Sequence, residues 1–115
     1  MAADCLIISS DYDEKWGLVA NEAMVCGLPV IASDRVGCSM DLIRRKETGE
    51  LFPFGDSDAL SVLMASMARD PGRLAKMGER ARSLVLREYT PGISAAGTVA
   101  AAEAVLEREL IFDTK

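Results

Sequence analysis

The sequence predicts an α/β fold: a partial parallel sheet of about three strands with flanking helices, followed by a helical C-terminal segment. Three observations carry this expectation. Two short apolar runs, Cys5-Leu6-Ile7-Ile8 and Pro29-Val30-Ile31-Ala32-Ser33, are bracketed by turn residues, the pattern of strands buried on both faces. Between them lies a segment of helical periodicity, and strand, helix, strand with a short return is the unit that builds parallel sheets. From Asp56 onward helix-start signals recur, Asp56-Ser57-Asp58, Asp70-Pro71 and Thr90-Pro91, without another strand-like run.

The elements follow in order. The first strand ends in Ser9-Ser10-Asp11 and opens into a polar loop that runs to about Trp16. Over residues 18–26, Leu18, Val19, Ala23, Met24 and Cys26 recur at helical spacing, and Gly27 stands where a left-handed residue closes a helix. Pro29 starts the second strand. A brief helix around residues 40–44 and a Thr48-Gly49 turn precede a third strand over residues 50–52. The helix capped at 56–58 places Leu60, Leu63, Met64 and Met67 on one face. The next has Asp70 as N-cap and Pro71 at its first position, with Leu74, Met77, Ala81, Leu84 and Val85 on one stripe. The last, over residues 94–110, is rich in Ala and carries a weaker stripe of Val99, Ala102, Val105, Leu106 and Leu110. Met64, Met67 and Met77 read as packing residues. Residues 1–115 are thus expected to form one domain, β-α-β-α-β over 1–55 and helical over 56–115. A parallel sheet is covered on both faces and as a rule has more than three strands, so the chain reads as the C-terminal portion of a larger doubly wound domain.

Composition narrows the function. At 115 residues and 50% apolar content, a core can be buried without disulfides or metal. A net charge of −5 argues against nucleic acid as a partner, because a phosphate backbone is bound through surplus Lys and Arg. The cluster Arg44-Arg45-Lys46 reads as a solvated helix end with cations at the negative pole of the dipole. No apolar run approaches the roughly 20 residues of a spanning helix, and the first residues lack a secretory pattern, so a cytoplasmic protein without a transmembrane segment is expected. Cys5, Cys26 and Cys38 are odd in number and form no Cys-x-x-Cys pair, which fits reduced core cysteines. With no histidine, neither a Ser-His or Cys-His nucleophile system nor a His-ligated zinc site can be built from this chain, and any general base it supplies is a carboxylate. No cofactor and no metal are expected.

Two carboxylates stand out in "SSDYDEKWGLVANEAMVCGLPVIASD", where Glu14 and Glu22 flank Trp16-Gly17-Leu18-Val19. In α/β sheets ligands bind beyond the carboxyl ends of the strands, where loops meet helix N-termini. A helix start near Gly17 would present unpaired N–H groups and about half a positive charge, a site for phosphate, with Gly17 allowing close backbone approach. If residues 14–22 were all helical, the two carboxylates would lie about 80° apart around the axis and about 12 Å apart along it. With Glu14 in the loop instead, both can reach the space above the helix start. There each could accept hydrogen bonds from a vicinal diol, as in a ribose or a hexose. On spacing alone such a pair arises often by chance, and a dipole-favoured Glu14 with a solvated Glu22 is the preferred account of it.

The string "EKWGLVANEAMVCGLPVIASDRVG" resembles the Glu-x7-Glu signature of retaining glycosyltransferases with two Rossmann-like domains (the GT-B type), in the family called glycosyltransferase family 4 or group 1. The similarity continues through "TGELFPFGDSDAL" and "MGERARSLVLREYT" and covers roughly residues 3–90. In that family the C-terminal domain holds a nucleotide-diphosphate sugar and the N-terminal domain most of the acceptor site. By motif position, the resemblance implies that Glu22 binds the ribose hydroxyls. Glu14, the candidate catalytic residue, binds the hydroxyls of the transferred sugar. Trp16, Gly17, Leu18 and Val19 line the donor, with Trp16 an aromatic wall where the family more often has Phe. Asp34 and Arg35 are second-rank candidates. Ser9 replaces a common Pro, and Asp41 replaces a usual Glu, with capping or hydrogen bonding on the sheet as its expected role. The family's diphosphate-neutralising cations, base-binding loop and acceptor domain would all precede Met1, so the chain is expected to bind donor without turning over alone. The rival reading is a non-catalytic assembly module that oligomerises or pairs with a separate N-terminal subunit. A stand-alone flavodoxin-like or receiver-like domain ranks last.

Overall fold

The computed structural model describes residues 2–113. Three parallel strands, β1 (Leu6–Ile8), β2 (Val30–Ser33) and β3 (Gly49–Phe52), lie in sequence order, with Leu6 opposite Val30 and Val30 opposite Gly49. Helix α1 (Leu18–Val25) joins β1 to β2, and the single-turn α2 (Ser39–Leu42) joins β2 to β3. Three helices follow: α3 (Ser57–Ala68), α4 (Pro71–Glu88) and α5 (Pro91–Asp113). The α/β class and the three-strand parallel sheet agree with the expectation.

The two faces of the sheet carry two cores. Val30 and Ala32 point into one, with Ile8, Ala20, Met24, Leu42, Ala81, Leu84 and Val85; Ile31 points into the other, with Phe52, Met67, Leu74 and Met77. This is the two-residue alternation of a strand covered on both sides. Helix α4 is long enough to serve both: its first half meets one core and its second half the other. It crosses at the α1–β2 turn, where Gly78 lies so close that a Cβ there would stand 1.9 Å from the Gly27 carbonyl oxygen.

The helix boundaries follow their local chemistry. Asp56 accepts from the Ala59 amide at 2.9 Å, and Asp70, followed by Pro71, accepts from the Arg73 amide at 3.0 Å. Each satisfies an orphan donor of a first turn. Helix α1 closes at Gly27, φ 79°, with the Leu28 amide on the Ala23 carbonyl and the Gly27 amide on that of Met24. That paired pattern is the expected left-handed ending.

Several packing expectations need correction. Of the apolar residues at helical spacing in α1, Met24 is buried with Ala20, while Leu18 and Val19 are 68% and 44% exposed. Met64 is exposed while Met67 and Met77 are buried. Cys26 is exposed and Cys5 half-buried, leaving Cys38 as the core cysteine. The stripe on α5 is exposed at Val99, Ala102, Val105 and Leu106; the side chain of Leu110 lies outside the described residues. The basic cluster is not simply a solvated helix end: α2 stops at Leu42, Arg44 pairs with Glu88 on α4 at 3.2 Å, and Arg45 reaches Glu50 at 3.5 Å. Glu50, only 4% exposed, also accepts from Arg73 at 3.3 Å, tying β3 to α4. Asp41 lies exposed in the first turn of α2 without a side-chain cap bond; its carbonyl accepts from the Tyr89 hydroxyl at 3.4 Å.

Candidate functional site

The carboxyl ends of the three strands feed three loops that are laced together. Buried Ser33, the last residue of β2, donates its hydroxyl to the Ser10 carbonyl at 2.7 Å and accepts from the Arg35 amide at 3.2 Å. The Asp34 amide bonds the Phe52 carbonyl at 2.9 Å, and the Asp34 carboxylate accepts from the Phe54 amide at 3.0 Å. Further along, the amides of Gly37 and Cys38 donate to the carbonyls of Glu14 and Trp16 at 3.1 and 2.9 Å. Only glycine fits at 37, because a Cβ there would stand 1.6 Å from the Lys15 carbonyl oxygen.

This lacing sets the approach to α1. Gly17 adopts φ 91°, ψ 61°, a left-handed conformation that L side chains rarely adopt, and a Cβ there would meet Val36, Cys38 and the Glu14 side chain. The helix begins at Leu18. Glu14 is therefore a loop residue, and the all-helical geometry of the two glutamates does not apply. Half-buried Glu14 lies against Gly17, its Cγ 3.6 Å from where a Cβ would sit. Exposed Glu22 stands one turn beyond exposed Leu18 on the same face, and helix side chains lean toward the N-terminus, so Glu22 leans toward the same opening.

The opening itself is uncapped. No side chain bonds it, its first turn holds no acidic residue, and the Ala20 amide turns to the Gly17 carbonyl at 2.8 Å. The amides of Leu18 and Val19 have no hydrogen-bond partner among the described residues. Such a start presents partial positive charge to an anion.

Trp16 is placed differently from its neighbours. Its indole N–H donates to Asn21 Oδ1 at 2.8 Å, and the ring packs on the core and on Tyr89, 6.1 Å between centroids. It braces the opening from behind, a role that the sequence pattern did not separate from wall formation. Beneath Gly17 lies Cys38, whose thiol burial pushes up to about 11, with Asp41 and Glu14 adding to the rise. Sequence reasoning missed Tyr12 and Phe54: the Arg35 guanidinium sits 5.0 Å from the Tyr12 ring and 4.7 Å from that of Phe54, and no local pattern links these three loops. At the opposite, N-terminal strand ends, an apolar groove of about 630 Å³ is lined by residues including Cys5, Leu28, Met64 and Leu74, away from the glutamates. Among the described residues no cluster of His, Cys, Asp or Glu is arranged to hold a metal ion, and no helix is long and apolar enough to cross a membrane.

Comparison with known proteins gives concordant results. The family described as glycosyl transferases group 1 matches residues 1–84. N-acetyl-alpha-D-glucosaminyl L-malate synthase of Bacillus anthracis is 34% identical over 87 residues, which make up 76% of this chain and 22% of that enzyme. Among solved structures, sucrose-phosphate synthase from Thermosynechococcus elongatus superposes with a TM-score of 0.73 at 34% identity, covering 96% of this chain and 26% of that one. Anabaena HepE in complex with UDP-glucose superposes at 0.71 with 27% identity, covering 87% and 28%. The chain thus spans about a quarter of these proteins, within a fold of the GT-B type.

Proposed function

The chain belongs to the group 1 glycosyl transferases, and from that membership we propose that it is the donor-binding segment of a retaining enzyme that moves a hexose from a nucleotide-diphosphate sugar to a glycan or lipid-linked acceptor. The observation that carries the reading is the uncapped start of α1 between Glu14 and Glu22. In it, the diphosphate sits on the amides of Leu18 and Val19, with left-handed Gly17 letting it approach. Glu22 accepts from the ribose hydroxyls and Glu14 from those of the transferred sugar, where hydrogen bonds to a carboxylate are stronger than neutral ones. Trp16 supports this surface through its backbone and by bracing the helix start.

Catalysis in this reading is electrostatic. Helix amides stabilise the charge that develops on the departing diphosphate. In this reading the segment contributes the amides, and turnover draws on cations and an acceptor site from outside it. That HepE was crystallised with UDP-glucose supports UDP-glucose as the first donor to try. Chemical-shift titration of the chain with UDP and UDP-glucose tests the proposal. Glu22→Ala should weaken UDP binding about tenfold or more, the worth of a hydrogen bond to a charged group; unchanged affinity removes the site assignment.

A second reading, a non-catalytic assembly module that pairs with another copy or with a separate N-terminal subunit, draws on the exposure of Val99, Val105 and Leu106 along α5. Sedimentation equilibrium separates the two: a monomer that binds UDP supports the donor segment, and a dimer without nucleotide affinity supports the module.

A further inference from the structure

We propose that Arg35 is a positioning residue that fixes the loop carrying Glu14; the proposal rests on reading Glu14 as a contact to the transferred sugar. The Arg35 guanidinium lies over two aromatic rings from different strand-end loops, Tyr12 at 5.0 Å and Phe54 at 4.7 Å, and its Nη1 donates to Asp11 Oδ1 at 3.2 Å. Tyr12 is 72% exposed, so its ring is placed by this stacking rather than by core packing.

Asp11 connects the stack to Glu14. Its carboxylate takes the Arg35 bond and one from the Tyr12 amide at 2.8 Å, while its carbonyl accepts the Glu14 amide at 3.0 Å. On the other side, the Glu14 carbonyl accepts the Gly37 amide at 3.1 Å. Glu14 is thus gripped at both backbone groups by the turn after β2, through Arg35 and Asp11 on one side and through Gly37 on the other. A planar guanidinium packs on aromatic rings while pairing with a carboxylate; an ammonium group makes the ion pair without the planar stacking. The side-chain partners of half-buried Arg35 are Asp11, Tyr12 and Phe54, and all belong to the strand-end loops.

The test uses the whole chain. In Arg35→Ala, amide hydrogen exchange at Glu14 and Gly37 should accelerate about tenfold or more, with Arg35→Lys in between and the amides of α4 unchanged, because local opening is governed by local contacts. The affinity advantage of UDP-glucose over UDP should fall several-fold in Arg35→Ala while UDP affinity itself stays. Unchanged exchange at Glu14 and Gly37 in a folded Arg35→Ala chain overturns the proposal, as does faster exchange with the UDP-glucose advantage intact. If Arg35→Ala does not fold, Phe54→Leu removes one side of the stack and is read in the same way. A native chain that does not distinguish UDP-glucose from UDP defeats the sugar-contact reading of Glu14, and the exchange measurement then decides the positioning claim alone.

Discussion

Helices α4 and α5 start with the same device and end in opposite circumstances. Asp70-Pro71 and Thr90-Pro91 each pair a capping side chain with a proline at the first position; Asp70 accepts from the Arg73 amide at 3.0 Å and Thr90 from the Ile93 amide at 3.2 Å. Yet α4 buries Leu74, Met77, Gly78, Ala81, Leu84 and Val85, whereas every described side chain of α5 from Pro91 to Arg108 is exposed. The 23-residue α5 runs about 34 Å and contributes to a longest dimension of 65 Å. Capping and propensity start a helix; a stripe of apolar residues at matching spacing is what docks it. In α5 alanines supply propensity all round, and the large apolar side chains described there, Ile93, Val99, Val105 and Leu106, are exposed.

The contrast can be broken or sharpened by paired substitutions. The largest effect is expected at Leu84: Leu84→Ala leaves a cavity between α4 and the sheet and should cost about 2–5 kcal/mol in denaturant unfolding, while Leu106→Ala in α5 should stay within about 0.5 kcal/mol. Equal costs would mean that α5 is docked in solution. Next come the helix glycines. Gly78→Ala drives a Cβ into the Gly27 carbonyl and should destabilise by about 1–3 kcal/mol, whereas at Gly97 a Cβ meets nothing within 4 Å. Gly97→Ala should therefore deepen the helical circular dichroism signal, from about 1 kcal/mol of local propensity, without moving the unfolding midpoint. The smallest difference is at the caps. Asp70→Ala should lower global stability by about 1 kcal/mol, and Thr90→Ala should fray α5 by a similar local amount with the midpoint unchanged.

Much of the sheet was legible because fully buried parallel strands are apolar without interruption, and residues 29–33 show this plainly. Helix α4 was legible for the converse reason: its stripe, cap and proline all agree. The opening of α1 was legible only in part. Periodicity put Leu18, Val19, Ala23 and Met24 on one helix but did not separate the outward-facing opening pair from buried Met24. The spacing of Glu14 and Glu22 drew attention to one helix opening, but it could not show that Gly17 would be left-handed or that Trp16 would turn toward Tyr89. The Glu50 pairing with Arg45 and Arg73 and the stacking of Arg35 were invisible for a common reason. Each joins residues brought together by the sheet, and no local pattern records such a meeting.

Cys38 gives the chain a built-in clock. Its sulfur lies under Gly17, sealed from water and with the thiolate disfavoured, while Cys26 stands in the open at the far end of the same helix. An alkylating reagent would therefore label Cys26 at once and Cys38 only during excursions that lift the floor of the opening. The lag between the two adducts, followed by mass spectrometry, measures how often that floor breathes without any reporter being introduced, and a ligand that seats above Gly17 would lengthen it.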